Sequence, residues 1–220
     1  EVLDISESIG KGHTKKDVSY RIGNGDQIAI TIWGLPEIFP VNVMNPDINL
    51  RRVDSNGNIY FPYIGLITAF GKTQDELRSE MTLRLSEFFN EPQLDVSIAR
   101  FNSQKIYLLG EITQPQKIFI TDVPLSLSEA LGEAKGLRTE TSEGSQVYIV
   151  RQLKEVNFAV IYRANLDSPA GFAAANNFYL EDNDIIYVNA SRTTRWNRVI
   201  SQFFPFSSFL NSVDSLLQDN

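Results

Sequence analysis

Residues 196–217 constrain this chain more than any other stretch, because they read as an amphipathic helix whose polar side is almost free of charge. Apolar residues fall at Trp196, Val199, Ile200, Phe203, Phe206, Phe209, Leu210, Val213, Leu216 and Leu217, the three-and-four spacing of a helix. The opposite side carries the small neutral groups Asn197, Ser201, Ser208, Ser212 and Ser215, and no charged residue lies between Val199 and Val213. A helix resting on a soluble core shows a narrower apolar stripe and a charged outer face. Here the apolar arc covers roughly half the circumference or more, and the other side suits water at close quarters. Such a helix fits one stave of an oligomeric pore. Trp196, Val199, Ile200, Phe203, Phe206, Phe209, Leu210, Val213 and Leu217 would then face lipid, and the serine-rich stripe from Asn197 to Ser215 would line the lumen. At ~1.5 Å per residue the segment reaches about 33 Å, close to the ~30 Å apolar thickness of a bilayer. One helix per chain cannot enclose a channel, so this reading demands a ring of identical chains. Two other placements stay open. The helix could lie flat on a membrane, which its lack of Lys and Arg on the polar face disfavours, or it could cover an apolar groove on this chain or a partner.

Pro205 interrupts the segment and removes one backbone donor, so it either kinks one helix or starts a second. Both alternatives keep the stripe in register, because Trp196, Phe203, Leu210 and Leu217 step by sevens. Arg192, Arg195 and Arg198 cluster just before it, as a solvated helix entry or at an anionic membrane boundary.

The 220 residues allow one or two domains, and a 42% hydrophobic content supplies a sizeable core. A net charge of −7 argues against nucleic acid as a partner, since phosphate binding needs a basic surface. Without cysteine there is no disulfide, thiolate metal site or cysteine nucleophile. No uniformly apolar run of ~18 residues and no signal peptide is visible, so a mature or trimmed form is expected.

Residues 1–19 lack periodicity and read as an extended or flexible lead-in. In residues 20–33 a Gly-Asn-Gly turn precedes alternating Ile28, Ile30 and Ile32, a strand. Residues 34–49 carry three prolines and read as a loop. An Asn56-Gly57 turn joins extended segments at 50–53 and 59–62. Thr73 with Glu76 forms a capping box, opening a helix with Leu77, Met81, Leu85 and Phe88 on one face and ending before Pro92. Leu94, Val96 and Ile98 then alternate as a strand. Residues 20–102 therefore form a small α/β unit.

The second unit, residues 103–190, starts with strands at 106–111 and 117–120 around Pro115. A second capping box at Ser126 and Glu129 opens a short helix that closes near Gly136. Strands follow at 147–151, 158–162 and 184–188, with a small-residue stretch at 170–177 between the last two. Hairpin, helix and further strands is the order of a β-grasp module, so the fold class is α+β. Residues 191–220 then hold the terminal helix. One internal echo links the two units. Residues 20–30 (YRIGNGDQIAI) recur as residues 178–188 (FYLEDNDIIYV), each placing Asp26 or Asp184 after a polar turn and before a strand. An aspartate so placed accepts hydrogen bonds from the turn's own amides, and that structural role outweighs catalysis or metal binding.

Catalytic signals are weak. The lone His13 lies in the lead-in, and Gly23-Asn24-Gly25 leads into a strand, without the helix N-terminus that cradles a phosphate. Among the scattered Asp47, Asp54, Asp182 and Asp184, the last two make the least unfavourable carboxylate pair. Tyr60, Phe61 and Tyr63 offer aromatic rings for sugar, although alternate strand residues usually pack inward. No enzyme activity, cofactor or metal is expected.

Several stretches together resemble the outer-membrane polysaccharide export proteins of the Wza type. They are YRIGNGDQIAITIWG, then DSNGNIYFPYIG with the following FGKT, then NEPQLDVSIARFNSQKIYLLGEITQP, and the terminal RTTRWNRVISQFFPF. The resemblance implies an export domain, one soluble-ligand-binding β-grasp (SLBB) domain and a terminal helix. It implies a role in moving capsular or extracellular polysaccharide across the outer membrane of a Gram-negative bacterium. Members are periplasmic lipoproteins that form homo-oligomeric rings, octameric in the best-known case, with an inner-membrane copolymerase as partner. Their terminal helices build a barrel through the outer membrane, which maps onto residues 196–217 here. The chain departs from larger members in having one β-grasp domain where they have two, and in lacking the lipidated N-terminal cysteine. A second reading of the whole chain is a periplasmic adaptor or carbohydrate-binding module, without a pore, that docks the helix on a partner.

Overall fold

The computed structural model describes residues 2–5, 19–39, 49–138, 141–153 and 159–190. The terminal helix positions, Asp47 and His13 lie outside these residues. The chain divides into two compact units, Asp17–Gln104 and a second made of Glu1–Lys16 with Lys105–Asn220.

In the first unit, strand β2 (Gln27–Trp33) lies between β3 (Leu50–Arg52) and β6 (Gln93–Arg100), antiparallel to both. The strict alternation of β2 sends Ile28, Ile30 and Ile32 inward. Helix α1 (Gln74–Leu85) begins at the expected capping box, in which the Thr73 hydroxyl accepts from the Glu76 amide and the Glu76 carboxylate from the Thr73 amide. Its Leu77, Met81 and Leu85 are buried in the same core as the β2 isoleucines and Val96 and Ile98 of β6. Each such side chain contributes about 1.5–3 kcal/mol relative to exposure. The expected helix face does not extend to Phe88. The helix stops at Leu85 with Ser86 as its cap, Phe88 is exposed, and Phe89 packs toward the core in its place.

The Asn56-Gly57 turn forms, with the Asp54 carboxylate accepting from the Asn56 and Asn58 amides, both at 2.8 Å. The segments it joins are not hairpin partners, however. β3 pairs with β2, whereas β4 (Asn58–Phe61) pairs with β5 (Gly65–Thr68), a strand the periodicity did not reveal. Four residues are too few to display a period.

The second unit is a six-stranded sheet in the order β1 (Val2–Asp4), β10 (Ala159–Ala164), β9 (Ser142–Gln152), β11 (Ile185–Ala190), β7 (Lys105–Gly110) and β8 (Gln116–Phe119). Hairpin β7 (Lys105–Gly110) and β8 (Gln116–Phe119) precedes helix α2 (Leu127–Glu133); hairpin β9 (Ser142–Gln152) and β10 (Ala159–Ala164) precedes helix α3 (Pro169–Asn176) and β11 (Ile185–Ala190). The closing strand β11 runs parallel to the opening strand β7 and antiparallel to β9, which is the β-grasp arrangement. Both helices supply buried residues to one core with Ile106, Leu108, Ile149 and Phe178.

Two features of this unit differ from the sequence reading. The small-residue stretch is helix α3, capped by Ser168 and started by Pro169. Its helical period is masked because alanine and glycine dominate it. The lead-in, read as extended or flexible, contributes a strand to this sheet. Val2–Asp4 form β1, parallel to β10, and Ile5 is buried in this unit's core.

Candidate functional site

The echoed aspartates form the same turn twice. In each, the carboxylate reaches back to an amide three residues earlier, Gly23 to Asp26 at 2.9 Å and Glu181 to Asp184 at 2.8 Å. The aspartate's own amide returns to the carbonyl of that residue, at 3.3 Å and 3.1 Å. The preceding residue is left-handed in both, Gly25 at φ 93° and Asn183 at φ 68°, residue types that tolerate this region best. Ile22 and Leu180 are buried at matching positions, and both aspartates are 0% exposed.

The two carboxylates are satisfied by different chemistry. Asp26 Oδ1 accepts from the Asn102 amide at 2.7 Å and the Ser103 amide at 2.9 Å. Its Oδ2 accepts from the Tyr20 and Ser103 hydroxyls as well as from Gly23. Five neutral donors thus converge on one buried carboxylate. Asp184 instead meets Arg151 in a bidentate pair, Nε to Oδ1 at 2.9 Å and Nη2 to Oδ2 at 2.7 Å. Arg151 also bonds Glu181 and the Tyr179 carbonyl, and its guanidinium lies over the Tyr162 and Phe178 rings. Burial pushes the Asp184 carboxyl up and opposes the Arg151 charge, while their mutual hydrogen bonds favour both charges. With two guanidinium bonds and one amide bond on a single carboxylate, the ionised pair wins.

Asp182 and Asp184, the least unfavourable carboxylate pair in the sequence, do not act on one site. Asp184 is sealed against Arg151, and Asp182 Oδ1 accepts from the Lys105 amide, so the two acids brace separate parts of the fold. Among the described residues, no group of three or more His, Cys, Asp or Glu is placed to hold a metal ion.

The aromatic candidates separate by position. Phe61 is 3% exposed and belongs to the core, whereas Tyr60 and Tyr63 are 63% and 51% exposed. Tyr63 sits in the turn between β4 and β5 at φ 70°, a conformation that costs an ordinary side chain on the order of 1–3 kcal/mol. Its ring meets Phe89 edge-on at 4.9 Å and contacts Phe39 and Phe88, both at 5.8 Å. Phe39 stacks on Phe61 at 5.7 Å, which ties the group to the core. Periodicity points to neither Phe39 nor Phe89, and it places Phe88 on the helix face rather than in this group. The Phe88-Phe89 doublet just past a helix end was the available signal.

Comparisons with known proteins bear on the function of this framework. Residues 14–99 match the family described as polysaccharide biosynthesis/export protein, and residues 104–188 match the SLBB domain. The chain thus carries a polysaccharide biosynthesis/export match followed by an SLBB match, an order that supports the Wza-type polysaccharide export family. Among its relatives is the EPS I polysaccharide export outer membrane protein EpsA of Ralstonia solanacearum, 32% identical over 169 residues, covering 70% of this chain and 44% of that protein. The EpsA of Ralstonia nicotianae is 34% identical over 154 residues, covering 64% and 40%. The capsule polysaccharide export protein BexD of Haemophilus influenzae is 23% identical over 139 residues, covering 56% and 35%. The chain thus spans less than half the length of these curated relatives. The first unit contains nearly all of the export match and the second nearly all of the SLBB match.

Proposed function

We propose that this protein is a subunit of an oligomeric conduit that carries capsular or extracellular polysaccharide through the outer membrane of a Gram-negative bacterium. The observation that carries the reading is the ordered pair of family matches, export at 14–99 and SLBB at 104–188, followed by the amphipathic residues 196–217. The names of the relatives, EPS I polysaccharide export outer membrane proteins and a capsule polysaccharide export protein, support the substrate class, and the former support the location. Three working parts follow: an export domain at 20–102, an SLBB domain at 103–190 and a membrane helix at 191–220. A ring of copies would place Ser201, Ser208 and Ser212 toward the lumen and Phe203, Phe209 and Leu210 toward lipid. Neutral hydroxyls let a hydrated sugar chain slide, where charged walls would hold or repel an acidic polymer. An inner-membrane copolymerase is the partner expected at the periplasmic end.

The test is direct. Particles extracted gently from the outer membrane and imaged should show closed rings, and removal of residues 195–220 should abolish membrane association. Ser208→Leu and Ser212→Leu should reduce secreted polymer while the folded periplasmic units persist. A monomer after gentle extraction, or full secretion from both serine variants, refutes the conduit.

A further inference from the structure

Among the described residues, four that are not glycine hold a positive φ, Tyr63 at φ 70° and Glu91 at φ 46° among them. Tyr63 belongs to an aromatic group with Phe39, Phe88 and Phe89, and Glu91 follows the Phe88-Phe89 doublet in sequence. Glycine or asparagine would occupy position 63 with less strain, yet the chain keeps a ring there that stays half-exposed, so burial does not account for it. The ring is nonetheless held on three sides by aromatic contacts, which orient it before any ligand arrives. Phe88 is 52% exposed beside it, and among the described residues the Tyr63 hydroxyl makes no hydrogen bond. The residues flanking Phe88 and Phe89 in sequence, Glu87, Asn90 and Glu91, are all exposed.

We infer that Tyr63 and Phe88 form a stacking platform for the pyranose rings of a neutral or amine-bearing glycan. Rigid aromatic faces suit the C–H face of a sugar ring, while the free phenol, the amide and the carboxylates offer partners to its hydroxyls. The same carboxylates disfavour a uronate or phosphate-bearing chain, which selects within the polymer class. The inference rests on the export reading for its ligand class. It places a polymer contact in the export domain.

The experiment uses the full chain with natural-abundance aromatic NMR and a fixed panel: maltoheptaose, cellohexaose, a mannan oligomer, a chitosan oligomer and oligogalacturonate. Weak binding, with dissociation constants in the millimolar range, is expected for at least one neutral or amine-bearing member, shifting Tyr63 and Phe88 resonances, and none for oligogalacturonate. Tyr63→Gly relieves the positive φ, so it should keep the melting midpoint near that of the parent while binding falls at least fivefold. Tyr63→Phe should retain most binding, and Phe172→Ala, at an exposed ring of the other unit, should leave it unchanged. The proposal is overturned if no panel member shifts these rings or if Tyr63→Gly binds as the parent does. It is equally overturned if the rings instead mediate concentration-dependent self-association that Tyr63→Gly abolishes. Secretion separates the two readings. Loss of export on deleting the gene but not in Tyr63→Gly sinks the platform alone, whereas export that survives the deletion sinks the conduit.

Discussion

Replacing Asp26 by asparagine tests whether the first turn is held by acceptor chemistry or merely by side-chain size. Asparagine keeps one oxygen and substitutes an NH2 for the other. Its best orientation leaves the carbonyl facing the Asn102 and Ser103 amides, now bonded at 2.7 and 2.9 Å, and turns the NH2 toward the Tyr20 and Ser103 hydroxyls. Hydroxyls rotate and can accept, so those two contacts survive. The Gly23 amide cannot, and it is left buried against another donor. One orphaned buried donor costs about 1–3 kcal/mol, and exchanging charged for neutral acceptors on the two remaining amides adds roughly 1 kcal/mol. The expected loss is therefore about 2–4 kcal/mol for Asp26→Asn, and more for Asp26→Ala, which orphans three amides. Urea unfolding supplies the free energy, and amide hydrogen exchange at Gly23, Asn102 and Ser103 locates it. If Asp26→Asn lies within about 0.5 kcal/mol of the parent with exchange unchanged at Gly23, the argument from donor count is wrong.

Three further outcomes follow from the same geometry. Arg151→Met should cost about 3–5 kcal/mol because it strands the Asp184 carboxylate, whereas Arg151→Met with Asp184→Leu should recover most of that; a double-mutant cycle on thermal unfolding reads the difference. The hydrogen bond from Lys72 holds the Glu80 carboxyl below its ordinary value of 4.5, with burial opposing and Arg84 adding. A depressed folded pKa means that this stabilisation is complete above the unfolded value and is lost as pH falls through the folded one. Glu80→Gln should accordingly flatten the acid limb of stability below about pH 4.5, with little change at neutral pH beyond the lost pair. Gly110 sits at φ 87° with the Val188 carbonyl where a Cβ would go, in the parallel pair of β7 and β11. Gly110→Ala should destabilise the second unit by at least about 1–2 kcal/mol, measured by urea unfolding.

Features of this chain that depend on near neighbours are legible in its sequence. The alternation at Ile28, Ile30 and Ile32, the capping boxes at Thr73 and Ser126, and the echoed turn aspartates each depend on residues within a few positions of one another. Local sterics and local hydrogen bonds therefore determine them before any tertiary contact forms. The family motifs belong to the same class, as short ordered strings. Tertiary structure decided everything that joins distant residues. It chose Arg151 as the partner of Asp184, β5 rather than β3 as the partner of β4, and β10 as the strand against which Val2–Asp4 lie. It also turned Phe61 inward and left Tyr63 and Phe88 half-exposed, although all three are aromatic residues near one hairpin or helix end. No local period encodes such choices. They follow from which apolar faces remain unburied once the sheets close, and from the need of each buried polar group to find a partner somewhere in the folded chain.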